Sequence, residues 1–173
     1  MSTIFRGLAS ESYTDNDFWI KEGETVFSDN WMFVGFAHEL KSVGDAVTLN
    51  IANQPILILK NNNNEIVAFH NVCSHRCLKL VDQNKNLGKF ISCPYHAWVY
   101  DLSGNLIRAT HFGGTNNHLP KGFKNKNNGL KSIRIKIWND WIFINLHNNA
   151  LSFEKYASPI IKQIKAFNLK KIK

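Results

Sequence analysis

The amino-acid sequence predicts an all-β, antiparallel fold with a short helix near each end. Short runs rich in β-branched and aromatic residues recur between residues 31 and 146, and polar turns separate them every eight to twelve residues. Within Leu130–Trp138, isoleucines alternate with basic residues, which is the period of a half-buried strand. The sequence contains no repeat of solenoid length. Together these observations favour a meander of short strands over a helical or repeat architecture.

The N-terminal unit, residues 1–30, is expected to combine a loose arm with one short helix. The arm would cover residues 1–12. Asp15 or Asn16 is a candidate cap for a helix that runs towards Phe27, because such side chains accept hydrogen bonds from the first free backbone amides of a helix.

Strands are expected throughout residues 31–150, which we assign to one domain. A long loop rich in glycine and asparagine would occupy residues 110–129. Asn139 and Asp140 form a two-residue turn, so the strands on either side of it are expected to pair as a hairpin. The predicted strands are Trp31–Ala37, Val47–Ile51, Ile56–Lys60, Glu65–His70, Gly88–Ser92, His96–Asp101, Leu106–Arg108, Leu130–Trp138 and Trp141–Leu146.

Residues 151–173 form a separate segment with helical periodicity. Ser158 is expected at the N-cap and Pro159 at the first helical position. Packing of this helix on its own domain, or the start of a following domain, is the favoured interpretation, and a membrane-surface or partner helix is the alternative. The helix is amphipathic, with apolar residues at Ile160, Ile161, Ile164 and Phe167 and lysines at Lys162, Lys165, Lys170 and Lys171.

Composition limits the classes of function. The chain has 173 residues, a formal net charge of +8 and 44% hydrophobic residues, which is enough apolar material for a core. No basic stripe is interleaved with aromatic residues, so we expect an acidic redox partner rather than nucleic acid. Neither a signal peptide nor a stretch of ~18 apolar residues is evident, so we expect no membrane span and a cytoplasmic location. Three cysteines are too few for a disulfide framework.

Two short loops each supply one cysteine and one histidine. One residue separates Cys73 from His75, two separate Cys93 from His96, and seventeen lie between the pairs. Mixed nitrogen and sulfur ligands suit zinc or an iron–sulfur cluster. Finger-type zinc sites pair cysteine with cysteine and histidine with histidine, whereas a two-iron cluster with cysteine on one iron and histidine on the other needs one of each from both loops. The pattern favours the two-iron cluster, and a non-redox zinc module is the alternative.

The residues around these pairs resemble a known family. NVCSHRCLKL at 71–80 and CPYHAWVYDLSG at 93–104 look like the N-terminal Rieske [2Fe–2S] domain of the large (alpha) subunit of Rieske non-heme iron oxygenases, the aromatic-ring hydroxylases and their relatives. The likeness extends over about residues 13–150. It implies a Rieske-type antiparallel β-sandwich with a small cluster-binding subdomain.

The same resemblance assigns the ligands. It implies that Cys73 and Cys93 bind one iron through thiolates, and that His75 and His96 bind the other through Nδ1. The outer ring nitrogens would then face the surface, so both histidines are expected to be accessible to solvent. Four neighbours are candidates for supporting roles around the ligands: Arg76, Tyr95, Trp98 and Tyr100. The alternative is that the three aromatic residues are core residues and that the arginine is structural or a docking contact.

Three positions depart from the patterns of Rieske proteins. Cys77 and Ala97 stand where the family usually has glycine, and both changes remove backbone freedom. We expect Cys77 to be a small buried residue rather than a ligand. Trp98 stands where respiratory Rieske proteins place a serine hydroxyl near a bridging sulfide. Few hydrogen bonds to sulfur are therefore expected, with a midpoint potential at the low end of the Rieske range, about −150 mV.

The resemblance implies an electron relay rather than a complete enzyme. In the family, oxygenase chemistry takes place at a mononuclear iron held by two histidines and one carboxylate in a C-terminal domain. We expect that Fe(II) only in a missing domain or a partner, and no catalytic residue in this chain. The domain would pass electrons from a reductase or ferredoxin to that iron in aromatic-ring hydroxylation of the dioxygenase type, and a homo-oligomer is compatible with this role. A free-standing Rieske-type ferredoxin is the alternative.

Overall fold

Ten short strands and four short helices are present in the part of the chain that the structure describes, a computed structural model covering residues 7–118, 123, 127–147, 149–165 and 167. The strands are β1 (Met32–Phe36), β2 (Asp45–Ile51), β3 (Gln54–Lys60), β4 (Ile66–His70), β5 (Lys85–Asn86), β6 (Phe90–Ser92), β7 (Val99–Asp101), β8 (Leu106–Arg108), β9 (Ser132–Trp138) and β10 (Trp141–Asn145). The helices are α1 (Glu11–Thr14), α2 (Asn16–Glu22), α3 (Phe153–Tyr156) and α4 (Ser158–Ile164), with a π-helical turn at Gly23–Phe27 and a 3₁₀ turn at Ala37–Glu39.

The strands form two antiparallel sheets. The larger has the strand order β1-β10-β9-β4-β3-β2-β5, and the smaller has the order β6-β7-β8. Every neighbouring pair of strands is antiparallel, so the predicted all-β fold is confirmed. The first Cys-His loop follows β4 of the large sheet, and the second connects β6 to β7 of the small sheet. The two loops therefore approach each other from different sheets.

Strand β3 lies at the centre of the packing because both of its faces are covered. Leu57 and Leu59 belong to a core that also contains Tyr100 of the small sheet. Ile56 and Ile58 face the opposite way, into a second core with isoleucines of β9 and β10. Full burial of such a side chain contributes about 1.5–3 kcal/mol. Burial on both faces explains why β3 is a continuous apolar run rather than an alternating one.

The predicted N-terminal helix is present but divided, and an additional helical turn precedes it. The Asp15 carboxylate accepts hydrogen bonds from the backbone N–H groups of Asp17 (2.7 Å) and Phe18 (2.9 Å), which confirms Asp15 as the cap of α2. The π-helical turn then carries the helix to Phe27, the predicted end. The expectation of a loose arm is wrong at α1, a single turn too short to show helical periodicity in the sequence. Residues 1–6 lie outside the described residues.

The β9–β10 hairpin is confirmed, with one change at its start. Asn139 adopts a φ of 57°, a left-handed conformation that asparagine tolerates well in a two-residue turn. The strand begins at Ser132 rather than at Leu130, because the Leu130 N–H donates to the carbonyl of Gly104 (2.7 Å). Gly104 itself has a φ of 82°, and a Cβ there would lie 2.5 Å from the Phe69 ring, so only glycine fits this crossing.

Helix α3 was not predicted, and it joins the C-terminal segment to the large sheet. The Phe153 ring packs against Trp31, with ring centroids 5.5 Å apart, and against Phe143 at 4.9 Å. The Arg134 guanidinium donates to the Ala150 carbonyl (2.8 Å) and lies 5.0 Å from the centroid of the Trp31 ring. These contacts are long-range, which is why a single helical turn forms here without a periodic signal.

Helix α4 is offset by one residue from the prediction. Ala157 is its N-cap, and Pro159 is the second helical residue, because the last turn of α3 ends on the same alanine. None of the residues of α4 is fully buried: Ile160 is 51% exposed, and Ile161 and Ile164 are partly buried. Phe167, beyond the end of the helix, is 67% exposed, so the apolar face is only partly covered by the described part of the chain. The predicted positions 170 and 171 lie outside the described residues. None of the helices that the structure describes is long and apolar enough to cross a bilayer.

Candidate metal centre

The two Cys-His loops share one backbone arrangement. In the first loop, the Cys73 N–H donates to the Leu78 carbonyl (2.8 Å), and the Cys73 carbonyl accepts from Cys77 N–H (2.8 Å). In the second, the Cys93 N–H donates to the Trp98 carbonyl (2.8 Å), while the Cys93 carbonyl accepts from the N–H four residues later (3.1 Å). Strand β7 therefore begins at residue 99 rather than at residue 96. The two cysteines occupy equivalent places at the base of matching loops.

A left-handed residue closes each loop. Cys77 has a φ of 53° and Ala97 a φ of 52°, the conformation that glycine adopts at no steric cost. These are the two positions where the sequence departs from the family's usual glycine, so the departure places about 1–2 kcal/mol of strain at each. The expectation that Cys77 is buried is wrong, since it is exposed at the position where its loop closes, as Ala97 is in the other loop.

The four ligand candidates come together as a pair of sulfurs and a pair of nitrogens. Cys73 and Cys93 are 1% and 4% exposed, with neighbouring thiols. His75 and His96 are half-buried, and their Nδ1 atoms lie 3.1 Å apart. Within the residues that the structure describes, no three histidine, cysteine or carboxylate groups converge as ligands of a single ion. The donor set fits a cluster with two differently ligated irons, the sulfur side inward and the nitrogen side at the surface.

The surroundings set the protonation of these groups. Desolvation lowers the pKa of His75, and the nearby His96 and Arg76 lower it further, which favours the neutral imidazole that binds metals. Burial raises the pKa of the Cys73 thiol, while a hydrogen bond from Tyr100 acts in the opposite direction. The protein therefore keeps the His75 imidazole ready to bind and makes a free Cys73 thiolate costly, so a positive iron centre would be needed to stabilise that thiolate.

Tyr100 connects the core to the sulfur side of the site. It is fully buried, and its hydroxyl lies 3.1 Å from Cys73 Sγ and accepts a hydrogen bond from the Ser74 N–H (3.1 Å). Burial raises the pKa of Tyr100, so the phenol stays protonated. Because the hydroxyl oxygen already accepts from Ser74, its own proton is available to the sulfur. Tyr100 is therefore both a core aromatic and a hydrogen-bond partner of Cys73 Sγ, to which it would donate when the sulfur is a thiolate.

Aromatic rings hold the histidine side. Trp98 is 3% exposed and stacks on His75, with centroids 4.6 Å apart and an interplanar angle of 8°. Tyr95 is 58% exposed, and its ring lies 3.7 Å from that of His96. The fourth predicted neighbour, Arg76, is exposed in the first loop, and it meets no carboxylate among the described residues.

Three contributors to the site escaped the sequence reasoning. Phe112 packs edge-on against Trp98 with centroids 5.6 Å apart, and Thr110 donates its hydroxyl to the Ala97 carbonyl (2.6 Å). Asn71 is fully buried, and its side-chain amide bonds both the carbonyl and the N–H of Val81 (2.7 and 3.0 Å). The only signal for Phe112 was that it is one of two phenylalanines within an otherwise largely polar stretch, residues 110–129. For Asn71, it was a polar residue directly after a buried strand.

Comparison with known proteins identifies the family to which this chain belongs. The model of the Rieske [2Fe–2S] domain matches residues 30–119, slightly more than half of the chain. The chain belongs to the Rieske [2Fe–2S] family. The predicted recognition and fold are thereby confirmed, and the [2Fe–2S] cluster is the cofactor that a domain of this family carries. The residues gathered at the metal centre, two thiols and two facing imidazoles, fit that cluster.

Curated relatives of this Rieske domain are oxygenase subunits. Choline monooxygenase from Arabidopsis thaliana is 34% identical over 135 residues, covering 78% of this chain and 31% of that protein. The glycine betaine monooxygenase oxygenase subunit of Pseudomonas aeruginosa is 29% identical over 166 residues, covering 96% of this chain and 37% of that protein. The Rieske domain described here therefore spans about a third of the length of these relatives.

Solved structures show the same architecture. The apo form of the quaternary ammonium Rieske monooxygenase CntA superposes with a TM-score of 0.80 at 26% identity, covering 92% of this chain and 45% of that one. Naphthalene 1,2-dioxygenase with bound indole superposes with a TM-score of 0.73 at 27% identity, covering 83% of this chain and 32% of that one. The architecture of this Rieske domain is thus shared with a monooxygenase and with a dioxygenase.

Proposed function

We propose that this chain is the electron-transfer domain of a Rieske monooxygenase that acts on a quaternary ammonium compound. Electrons arrive from a reductase or ferredoxin, reside on the [2Fe–2S] cluster, and leave for a mononuclear iron held by another domain or subunit. In the proposed division of the chain, residues 31–150 form the Rieske domain, residues 1–30 precede it as an arm and short helix, and residues 151–173 lead towards the catalytic domain.

The observation that carries the ligand assignment is the approach of two imidazole nitrogens at the surface edge of a pair of buried thiols. In the proposal, Cys73 and Cys93 hold the inner iron, and His75 and His96 hold the outer iron through Nδ1. The 3.1 Å separation of the Nδ1 atoms supports binding to a common iron. Such a cluster supplies a reversible one-electron couple. The chain itself orients the ligands, excludes water from the sulfurs and donates a hydrogen bond from Tyr100.

The substrate class rests on the relatives. The curated proteins named above are a choline monooxygenase and a glycine betaine monooxygenase subunit, and a carnitine monooxygenase oxygenase subunit from Escherichia coli is 33% identical over 147 residues. CntA is named as a quaternary ammonium monooxygenase. These relatives favour a quaternary ammonium substrate over the aromatic ring expected from the sequence, although naphthalene dioxygenase shares the fold.

The cluster is tested on the purified chain by iron and acid-labile sulfide analysis and by EPR after reduction. We expect two irons and two sulfides per chain, a rhombic Rieske spectrum and uptake of one electron. His75→Ala should abolish the spectrum, whereas the matched variant His111→Ala, which changes an exposed histidine outside the proposed ligand set, should keep it. A colourless zinc protein, or an unchanged spectrum in His75→Ala, would contradict the assignment.

The substrate class needs the mononuclear-iron partner. The chain is purified together with the segment or subunit that carries this iron, and substrate-dependent oxygen uptake is measured with choline, glycine betaine, carnitine and naphthalene. Uptake with one of the three quaternary ammonium compounds supports the proposal. Uptake with naphthalene alone would contradict the proposal and favour the aromatic-ring substrate that the sequence predicted.

A further inference from the structure

An open apolar groove lies beside the N-terminal helices, and none of the residues that line it belongs to either Cys-His loop. We call it the N-terminal groove. It has a volume of about 910 Å³, and its lining residues fall within 19–28, 32–35 and 49–54. Three large apolar side chains of the lining are well exposed: Trp19 at 48%, Ile20 at 42% and Phe33 at 49%. Exposed apolar side chains that line one groove are typical of a binding site.

The N-terminal groove lies between the two ends of the large sheet. Strand β1 is the end strand on one side. On the other side, β5 pairs with β2 only at Asp45 and Ala46, so residues 49–51 have no second strand partner in the described part of the chain. Leu49 and Ile51 also pack against the second core. The groove is therefore an open continuation of that core, and covering it would bury further apolar surface, the main favourable contribution to association.

The helical side of the N-terminal groove is acidic. Residues 11–29 contain six acidic residues and one lysine, although the whole chain has a formal net charge of +8. Glu24 lines the groove, and Glu22 lies two residues before it. Among the residues that the structure describes, neither glutamate forms an ion pair. The groove therefore favours an occupant that combines an apolar face with positive charge.

Helix α4 and the residues after it have both of these properties. Residues 155–173 contain six lysines and no acidic residue. Within α4, Ile160 remains half-exposed on the apolar face, and Lys162 is exposed. None of the residues that line the groove belongs to α4, so the helix does not occupy the groove of its own chain. An amphipathic helix that lays its apolar face into a hydrophobic groove is a recurrent mode of recognition.

We propose that the N-terminal groove binds helix α4 of a second copy of this chain, with the isoleucines of α4 against the apolar lining and its lysines near Glu22 and Glu24. This inference goes beyond the proposed function, because the contact involves neither the cluster nor a substrate. The two surfaces differ, so the contact is heterologous: each added copy leaves one groove and one helix free unless a ring closes.

The strength of the contact follows from its size and charge. One short helix in a groove belongs to the small class of interfaces, below about 1,200 Å² in total, so association is reversible and depends on protein concentration. Opposite charges at the edge of the contact are screened by salt, so association weakens as ionic strength rises.

The test is sedimentation velocity of the purified chain from micromolar to near-millimolar concentration. Trp19→Glu blocks the groove, and Ile160→Glu blocks the helix. Both residues are about half-exposed in the monomer, and glutamate suits a helix, so neither variant should unfold the chain. The matched control is Ile107→Glu, which places the same charge at another exposed isoleucine, on β8. The three variants therefore differ only in the position of the new charge.

We expect the unaltered chain and the control to associate equally, and each blocking variant to lower the association constant about tenfold or more. An equimolar mixture of Trp19→Glu and Ile160→Glu should form a heterodimer and nothing larger. The first variant supplies an intact helix and the second an intact groove, whereas the remaining groove and helix both carry the blocking charge.

Three results would overturn the proposal. A monomeric unaltered chain at every concentration would mean that the N-terminal groove takes a different occupant. Association that survives both blocking variants would place the contact on another surface. Blocking variants that stay monomeric when mixed would indicate a symmetric contact rather than helix in groove.

EPR spectra of the same samples keep this inference apart from the proposed function. The groove and α4 contain none of the four ligand candidates, so all three variants should keep the Rieske spectrum of the unaltered chain. An intact spectrum in a chain that never associates would refute only the contact between copies. Association without any Rieske spectrum would refute only the electron relay.

Discussion

Replacing Tyr100 with phenylalanine removes one hydroxyl from the sulfur side of the metal centre and keeps the buried ring. The hydroxyl lies 3.1 Å from Cys73 Sγ, and Tyr100 is fully buried, so no water can take its place without rearrangement. Reduction adds one negative charge to the cluster and its thiolates. A donor to Sγ therefore stabilises the reduced state more than the oxidised state. We predict that Tyr100→Phe lowers the midpoint potential.

The size of the shift follows from the hydrogen bond. A hydrogen bond to a charged group contributes about 1.5–3 kcal/mol. If about half of this free energy is present only in the reduced state, the hydrogen bond favours reduction by about 1 kcal/mol. For a one-electron couple, about 59 mV corresponds to a tenfold change in the equilibrium constant, or ~1.4 kcal/mol. The expected decrease is therefore about 40 mV. The Ser74 N–H also loses its acceptor, which costs about 1 kcal/mol of folding stability.

An EPR-monitored redox titration measures the potential directly. The matched control is Tyr95→Phe, which removes the same hydroxyl from an exposed tyrosine whose ring contacts His96. We expect the control to change the midpoint potential by only a small fraction of the Tyr100→Phe shift. An unchanged or raised potential in Tyr100→Phe, with an intact Rieske spectrum, would refute the reasoning that this hydroxyl donates to the sulfur.

Three further predictions follow from other features. The unaltered protein should have a midpoint near the low end of the Rieske range, about −150 mV, since Trp98 offers no hydroxyl to the cluster; a value above zero in protein-film voltammetry would contradict this. Ala97→Gly should raise the free energy of unfolding by about 0.5–1 kcal/mol in urea titrations, because relief of left-handed strain outweighs the added chain entropy, and a loss of stability would argue against the strained turn. A hydrogen bond from His38 lowers the pKa of Asp140, so its contribution to stability is present above the unfolded carboxyl pKa of about 3.9 and is lost as pH falls through the lower folded value. Asp140→Asn should therefore reduce stability near neutral pH and flatten its acid dependence, and parallel pH curves for the two proteins would count against the pair.

The sequence was informative wherever local pattern and final environment agreed. The alternation along β9 and the turn at Asn139 were sufficient to predict the hairpin. The continuous apolar run of β3 corresponds to a strand covered on both faces. The ligand spacing is also set by local structure, since the same backbone hydrogen bonds form within each Cys-His loop, at Cys73 and at Cys93. These features could be predicted because neighbours in the sequence determine them.

Features that depend on distant partners could not be predicted in the same way. Helix α3 is stabilised through the contacts of Phe153 with the ring of Trp31, directly before β1, and with the ring of Phe143 on β10. Phe112 joins the metal centre only because its loop folds back onto the second Cys-His loop. Cys77 was expected to be buried because cysteine usually is, but it occupies the left-handed position that closes its loop and is exposed there. In each case, a tertiary contact or a backbone constraint overrode the residue's average preference.

Burial changes steeply across the metal centre, and this separates two properties of the proposed relay. Cys73 and its hydrogen-bond partner Tyr100 lie in the core, whereas the half-buried His96 contacts the exposed Tyr95 ring at the surface. A change on the sulfur side alters the charge balance of the cluster, and so its potential. A change of Tyr95 alters the exposed face of His96, and so its access to solvent. We therefore expect Tyr100→Phe to lower the potential by the same amount whether or not Tyr95→Phe is also present. Strong coupling between the two variants would mean that the sulfur side and the histidine side form one connected network instead.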